Sequence, residues 1–237
     1  MDLLIAALAP IGALLLIIYK IDRYNREPAK LLVKLFIMGG LIAVPVIIVE
    51  GFLGYLNIFT LTKTDLQHVY TAFVVAAFTE EFFKWLIFKG FAYNHKAYDE
   101  YLDGIVYAVF VSLGFAAFEN IGYVFANRDM NVAFMRALTA LPGHMLFGVS
   151  MGYHFSIMKF AKTKRSYQRA LKYSLLMPIV IHGVYDYILM SSFKWLVLLF
   201  IPYLIWMWQY GLRRIKTYYD VSKEAHDLSL AQALDDE

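Results

Sequence analysis

Long apolar runs separated by short polar segments make up most of the chain. The runs cover about residues 3–19, 35–56, 67–88, 104–126, 137–158, 173–190 and 195–211. Each is close to the ~20 residues that an α-helix needs to cross a bilayer. The pattern therefore predicts an all-α, polytopic membrane protein with about seven transmembrane helices.

The composition agrees with this interpretation. Apolar residues make up 60% and charged residues 17% of the 237 residues, against roughly 45–50% and about 25% in soluble domains. A soluble domain of this length cannot hide so much apolar surface. The chain contains no cysteine, which excludes a disulfide scaffold, thiolate nucleophiles and cysteine-ligated metals.

Basic residues are distributed unevenly between the two sets of loops. With seven spans, 17 Lys and Arg residues fall on one side, in loops 20–34, 89–103 and 159–172 and after residue 211. The opposite side carries 4, namely Lys63, Arg128, Arg136 and Lys194. Loops rich in Lys and Arg stay in the cytoplasm. We therefore expect a multi-pass protein of the cell membrane with its N-terminus outside and its C-terminus in the cytoplasm.

A small set of ionisable residues interrupts the apolar runs. These are Glu80, Glu81 and Lys84 in the third span, Glu119 in the fourth, His144 in the fifth, and His182 and Asp186 in the sixth. A charge at mid-bilayer costs at least ~2.5–3.5 kcal/mol. We therefore expect these side chains to converge on a central polar cavity instead of facing lipid.

The residue types in this set suit a catalytic metal. Two histidines and a carboxylate are a common ligand set for zinc with an open position for water, and Glu119, His144 and His182 could provide it. Asp186 lies four residues after His182 and so on the same helix face. It could be a fourth ligand, or it could orient a histidine. The chain has no HExxH motif.

Glu80 and Glu81 are the candidates for a general base. A glutamate takes the proton from water in metal-assisted peptide hydrolysis, and the sequence does not distinguish the two. Lys84 follows Glu80 by one helical turn and can offset one negative charge, although these three residues could form only an internal ion pair. Glu50 lies at a span end and is expected on the solvated surface. His154 points in another direction from His144 and is left out of the site.

Two other classes of protein place such residues in a membrane. In a proton- or cation-coupled transporter, buried Glu, His and Asp residues relay ions, but the chain shows no repeated halves with paired broken helices. A non-catalytic scaffold or immunity protein could keep the same fold. The expected partners are the lipid bilayer and a membrane protein, with no nucleic acid, and the oligomeric state stays open.

Four short motifs in successive spans resemble those of the PrsW family of bacterial intramembrane proteases, within the wider group of CAAX prenyl endopeptidases and Abi proteins. They are Glu80-Glu81-x-x-Lys84, Phe115-x-x-x-Glu119, His144, and His182-x-x-x-Asp186. Two loop segments, Tyr19 to Pro28 and Leu102-Asp103-Gly104, also look like that family. The resemblance covers about residues 19–190.

The resemblance implies an endopeptidase that hydrolyses a membrane-tethered protein. Residues 1–211 would form its transmembrane helical protease domain and residues 212–237 a cytoplasmic C-terminal tail. The implied substrate is an anti-sigma factor with one transmembrane helix, whose cleavage begins an envelope-stress response. The ligand set above makes Zn²⁺ the expected cofactor. Related prenyl endopeptidases imply a metal-free alternative, in which Glu80 activates water while His182 and Asp186 position it or stabilise the oxyanion.

Overall fold

The computed structural model describes residues 2–57 and 65–235, and all of the regular structure in these ranges is helical. The α-helices are α1 (Asp2–Ile21), α2 (Ala29–Leu41), α3 (Ala43–Tyr55), α4 (Asp65–Tyr70), α5 (Thr79–Ile87), α6 (Tyr101–Asn127), α7 (Met130–Leu138), α8 (Ala140–Lys159), α9 (Lys164–Met190) and α10 (Phe200–Asp235). Two π-helical segments, Thr71–Phe78 and Phe88–Ala92, flank α5. A 3₁₀ segment, Lys194–Leu199, precedes α10. The predicted all-α class is confirmed.

Six helical stretches are long and apolar enough to cross a membrane. They are Asp2–Ile21, Ala29–Tyr55, Tyr101–Asn127, Met130–Lys159, Lys164–Met190 and Lys194–Gln232. The predicted third span, 67–88, falls in the helical run from Asp65 to Ala92, which the π-helical segments divide into short pieces. Six stretches are close to the predicted seven, and the divided run from Asp65 to Ala92 accounts for the difference.

Three sequence-based expectations have no test in the described part of the chain. Lys63, counted among the basic residues of the outer side, and the last two residues of the acidic tail lie outside the described residues. The domain boundary after residue 211 falls within α10, which continues to Asp235 without a break. The boundary and the side of the membrane on which each terminus lies stay predictions.

Helix α6 lies at the centre of the bundle. Of its most apolar stretch, 89% is buried, against 17% for α1. A Cβ atom on Gly114 would overlap the Phe36 carbonyl of α2, and one on Gly39 would overlap the Val111 carbonyl of α6. Small residues of this kind let two helices approach closely. Glu119 follows Gly114 on α6, so the helix carries its carboxylate into the bundle.

The π-helical segment Thr71–Phe78 leads directly into the Glu-Glu pair. Single π turns inside α-helices are frequent at functional sites, and here the next turn buries Glu80 and Glu81. Helix α9 packs against this segment at Gly183, where a Cβ atom would overlap the Phe73 ring. This close approach brings His182, the residue before Gly183, to the pair of glutamates.

Candidate active site

Lys84 lies at the centre of a buried polar network. Its ammonium donates hydrogen bonds to Glu80 Oε2 at 3.0 Å, to Glu81 Oε1 at 2.8 Å and to His144 Nδ1 at 3.2 Å. The side chain is fully buried, and the ammonium lies 4.3 Å from the centre of the Phe115 ring. Breaking a buried ion pair by removing one partner costs about 3–5 kcal/mol. Lys84 therefore holds both glutamates in place and offsets one of their charges.

His144 connects Lys84 to Glu119. Since its Nδ1 accepts from Lys84, its Nε2–H donates to Glu119 Oε2, at 2.8 Å. The Glu119 carboxylate also pairs with Arg136, whose Nη2 lies 3.1 Å from Oε2. Arg136 in turn donates from Nε to Asn120 Oδ1 at 2.6 Å. Glu119 and His144, predicted to converge from two different spans, are in direct contact.

His182 lies between two carboxylates. Its Nδ1 is 3.1 Å from Glu81 Oε1, and its Nε2 is 3.2 Å from Asp186 Oδ2, one turn further along α9. The imidazole stacks on the Phe147 ring at 4.4 Å between centroids, which fixes its plane. The ring centroids of His182 and His144 are 5.7 Å apart. Both histidines thus belong to one cluster.

A cavity of about 690 Å³ opens beside this network. Five of the predicted residues line it: Glu80, Glu119, His144, His182 and Asp186. Glu81 and Lys84 are fully buried and lie outside that lining. The volume is in the range of about 300–1,000 Å³ that is usual for ligand sites. The central polar cavity expected from the sequence is therefore present.

Two further ionisable residues line the cavity, although the sequence predicted that both would lie outside it. Glu50 of α3 is part of the lining, although its position at a span end predicted a solvated surface residue. Arg136, counted with the outer loops, lies on α7 and pairs with Glu119. Its spacing along the sequence does not predict this contact, because Arg136 and His144 lie on separate helices, α7 and α8. His154 is outside the lining as expected, and its Nδ1–H donates to its own helix at Ser150 O, 2.8 Å away.

The charges around the cavity favour a bound cation. Five carboxylates, those of Glu50, Glu80, Glu81, Glu119 and Asp186, face only two obligate cations, Lys84 and Arg136, among the groups described above. Glu81 Oε2 is buried without a hydrogen-bond partner. Leaving such an atom unsatisfied costs free energy. A divalent cation would compensate the excess negative charge.

The residues also have the right chemistry to hold a metal. One ligand atom from each of Glu80, Glu81 and His182 lies within 4.8 Å of the other two. Imidazole nitrogen and carboxylate oxygen are ligands that zinc accepts. This group shares only His182 with the set of Glu119, His144 and His182 predicted from the sequence. The set predicted from the sequence stays a prediction. Asp186, its possible fourth member, contacts His182.

Comparison with known proteins agrees with the arrangement of the site. A family model described as PrsW family intramembrane metalloprotease matches residues 27–208. Protease PrsW of Clostridioides difficile is 37% identical over 227 residues, which are 94% of each chain. Protease PrsW of Geobacillus kaustophilus is 38% identical over 91% of each chain. Protease PrsW of Bacillus subtilis is 34% identical over 89% of this chain and 93% of its own. No solved structure matches the chain.

Proposed function

The chain belongs to the PrsW family of intramembrane metalloproteases, and we propose that it cleaves an anti-sigma factor that a single transmembrane helix anchors in the membrane. The family and the enzyme class predicted from the sequence are confirmed. Its apolar helices and its family are those of a multi-pass membrane protein. The observation that carries the proposal is one cavity, between apolar helices, lined by Glu80, Glu119, His144 and His182.

Glu80 is the general base in this proposal. It lines the cavity, whereas Glu81 is fully buried and bonded to Lys84 and His182. A base must reach the proton that it takes from water, and only the first of the two glutamates faces the space where water and substrate meet. Lys84 forms a direct ion pair with each of the two carboxylates. Glu81 is a positioning residue that holds Lys84.

Glu119, His144 and His182 hold the metal in this proposal, and Asp186 orients His182. The metal is Zn²⁺, which when bound activates water and polarises the scissile carbonyl. These three side chains line the cavity from α6, α8 and α9, whereas Glu80 and Glu81 pair with Lys84 on their own helix. Arg136 pairs with Glu119 Oε2, the same oxygen that His144 contacts.

The walls of the cavity suit an unwound segment of a membrane-spanning substrate. Beside the ionisable groups, the lining consists of apolar side chains from four helical segments: Val46, Ile47, Val75, Phe115, Phe118 and Leu189. Apolar walls with a few placed polar groups are typical of sites that bind largely apolar ligands. A peptide from the outer part of a transmembrane helix has this character.

Cleavage of a reconstituted substrate tests the proposal. We expect the purified protein in proteoliposomes to cut a single-span anti-sigma factor, with loss of cleavage on chelation and recovery when Zn²⁺ is added back. The matched control is the same extracellular segment as a soluble peptide without its transmembrane helix, which should be cut far more slowly. Gel electrophoresis and mass spectrometry of the fragments measure both. Equal cleavage of the soluble peptide would contradict a requirement for membrane tethering.

The proposed orientation has its own test. The 17-to-4 distribution of basic residues predicts that the N-terminus lies outside and that the connection after α8 and the chain after residue 211 lie in the cytoplasm. Reporter fusions placed after Lys164 and after Lys216 should therefore both register as cytoplasmic. An external signal at either position would contradict the proposed orientation.

A further inference from the structure

A second group of carboxylates lies at the other end of α6. It consists of Asp22 and Glu27 from the α1–α2 connection and Glu100 and Asp103 from the start of α6, and we call it the Asp103 cluster. Asp103 precedes Glu119 by 16 positions, which is ~24 Å along a helix at 1.5 Å per residue. The cluster is therefore separate from the cavity that holds the active site.

The carboxylates of the Asp103 cluster are buried without a basic partner. Asp22 and Asp103 are fully buried, and Glu27 is 4% exposed. Across residues 2–57 and 65–235, no Lys, Arg or His nitrogen lies within 4.0 Å of a carboxylate of the cluster in an ion pair. Burial raises the pKa of Asp22 to about 6 and that of Glu27 to about 7. Buried charges without a partner are rare unless they are neutralised or bind a metal.

Neutral donors satisfy some of the carboxylate oxygens but not all. The backbone N–H of Glu27 donates to Asp22 Oδ2 at 3.0 Å, and that of Glu100 donates to Asp103 Oδ2 at 2.8 Å. Tyr107 donates to Glu27 Oε2. The second oxygens, Asp22 Oδ1 and Asp103 Oδ1, are buried and have no hydrogen-bond partner. Each fully buried aspartate of the cluster thus keeps one free oxygen.

The spacing of the oxygens matches a cation site. One oxygen from each of Asp22, Glu100 and Asp103 lies within 4.8 Å of the other two. Ca²⁺ binds oxygens at 2.3–2.6 Å, so two ligands on opposite sides of the ion lie roughly 4.6–5.2 Å apart. A set made only of oxygen ligands is typical of Ca²⁺ or Mg²⁺ and not of zinc.

We propose that Asp22, Glu100 and Asp103 form a structural binding site for an oxygen-preferring divalent cation, with Ca²⁺ as the ion that fits the spacing directly. The site ties the α1–α2 connection to the start of α6. It reaches α10 as well, because Ser222 donates to Glu100 Oε1 at 2.8 Å. A bound cation therefore stabilises the packing of three elements at this end of the bundle.

Cation binding to the full-length protein tests the proposal. After chelation and removal of the chelator, the wild type should bind one equivalent of Ca²⁺ at the cluster in isothermal titration calorimetry. Its unfolding temperature, followed by tryptophan fluorescence, should rise with Ca²⁺ concentration because a ligand that binds only the folded state stabilises it. A parallel titration with Mg²⁺ compares the two ions. The active-site variant His182→Ala should keep this binding and this rise, which separates the cluster from the catalytic centre.

Matched variants locate the site. Asp103→Asn keeps the size of the side chain and should weaken Ca²⁺ binding by at least ~10-fold, as loss of groups around a metal does, and remove the rise in unfolding temperature. Asp227→Asn is the control, because Asp227 is an exposed aspartate of α10 outside the cluster. It should behave as the wild type. Should Asp103→Asn not fold, Asp22→Asn serves the same purpose.

The alternative occupant is a proton shared between the carboxyl groups. In that case the wild type and His182→Ala would bind neither Ca²⁺ nor Mg²⁺, and their unfolding temperatures would not respond to either ion. This result would overturn the proposal.

Discussion

Replacing Glu80 with glutamine is expected to slow cleavage of a tethered substrate by a factor of ~10²–10⁴, the usual contribution of a general base. Glutamine keeps the size of the side chain and can still accept a hydrogen bond from Lys84, which donates to Glu80 Oε2 at 3.0 Å. It cannot take a proton from water. The bound metal should stay close to that of the wild type, and the unfolding temperature should fall only in part because Lys84 keeps its ion pair with Glu81, as elemental analysis and thermal unfolding of the purified variant would show.

The matched control is Glu224→Gln, which makes the same change at an exposed position of α10. It should leave cleavage, metal content and stability unchanged. Cleavage near the wild-type rate in Glu80→Gln would refute the role of Glu80 as base. Loss of the metal together with cleavage would instead make Glu80 a ligand, in the group with Glu81 and His182 whose atoms lie within 4.8 Å of one another.

The sequence was sufficient to predict that the ionisable residues of the spans meet, because the cost of a charge in lipid leaves few alternatives. The contacts of Glu119 with His144 and of His182 with Glu81 follow from that constraint. The i,i+4 relation also predicted correctly that Lys84 reaches Glu80 and that Asp186 reaches His182. These are local or energetic consequences of residue type and spacing, and no knowledge of the packing was needed.

Arg136 and Glu50 could not be placed in the same way. Hydropathy assigns Arg136 to a connection, and only the fold of α7 turns it toward Asn120 and Glu119. Glu50 reaches the cavity because α2 ends at Leu41 and α3 starts again at Ala43, so that its direction depends on a helix junction. Both positions depend on tertiary packing, which periodicity does not encode.

The π-helical segments explain why the predicted third span, 67–88, is not one continuous α-helix. An apolar run such as Thr71–Phe78 has the composition of any buried helix, and nothing in its residue types predicts a wider turn. The choice between the two proposed metal-ligand groups likewise depends on distances of a few ångströms between side chains of different helices. Spacing along the chain fixes the distances within a helix only.

Replacing His182 with alanine is expected to remove the metal and cleavage together. His182 is the one residue shared by the ligand set proposed from the sequence and by the group within 4.8 Å. Loss of a direct ligand should lower metal affinity by more than the ~10–100-fold that loss of an outer-sphere partner costs. Asp186→Asn removes the charge 3.2 Å from His182 Nε2 and should lower metal affinity by only ~10–100-fold. Metal content and cleavage of each purified variant measure both effects.

His154→Ala is the matched control for His182→Ala. It removes a half-buried histidine on α8 that lies outside the cavity and donates a hydrogen bond to its own helix at Ser150 O. Metal content and cleavage should both be those of the wild type. If instead the wild type cleaved at full rate without metal and ignored chelator, His182 would act by positioning water or stabilising the oxyanion. A donor of that kind contributes a factor of ~10²–10³ to the rate. His182→Ala would then still lose cleavage, although the wild type contains no metal that the substitution could remove.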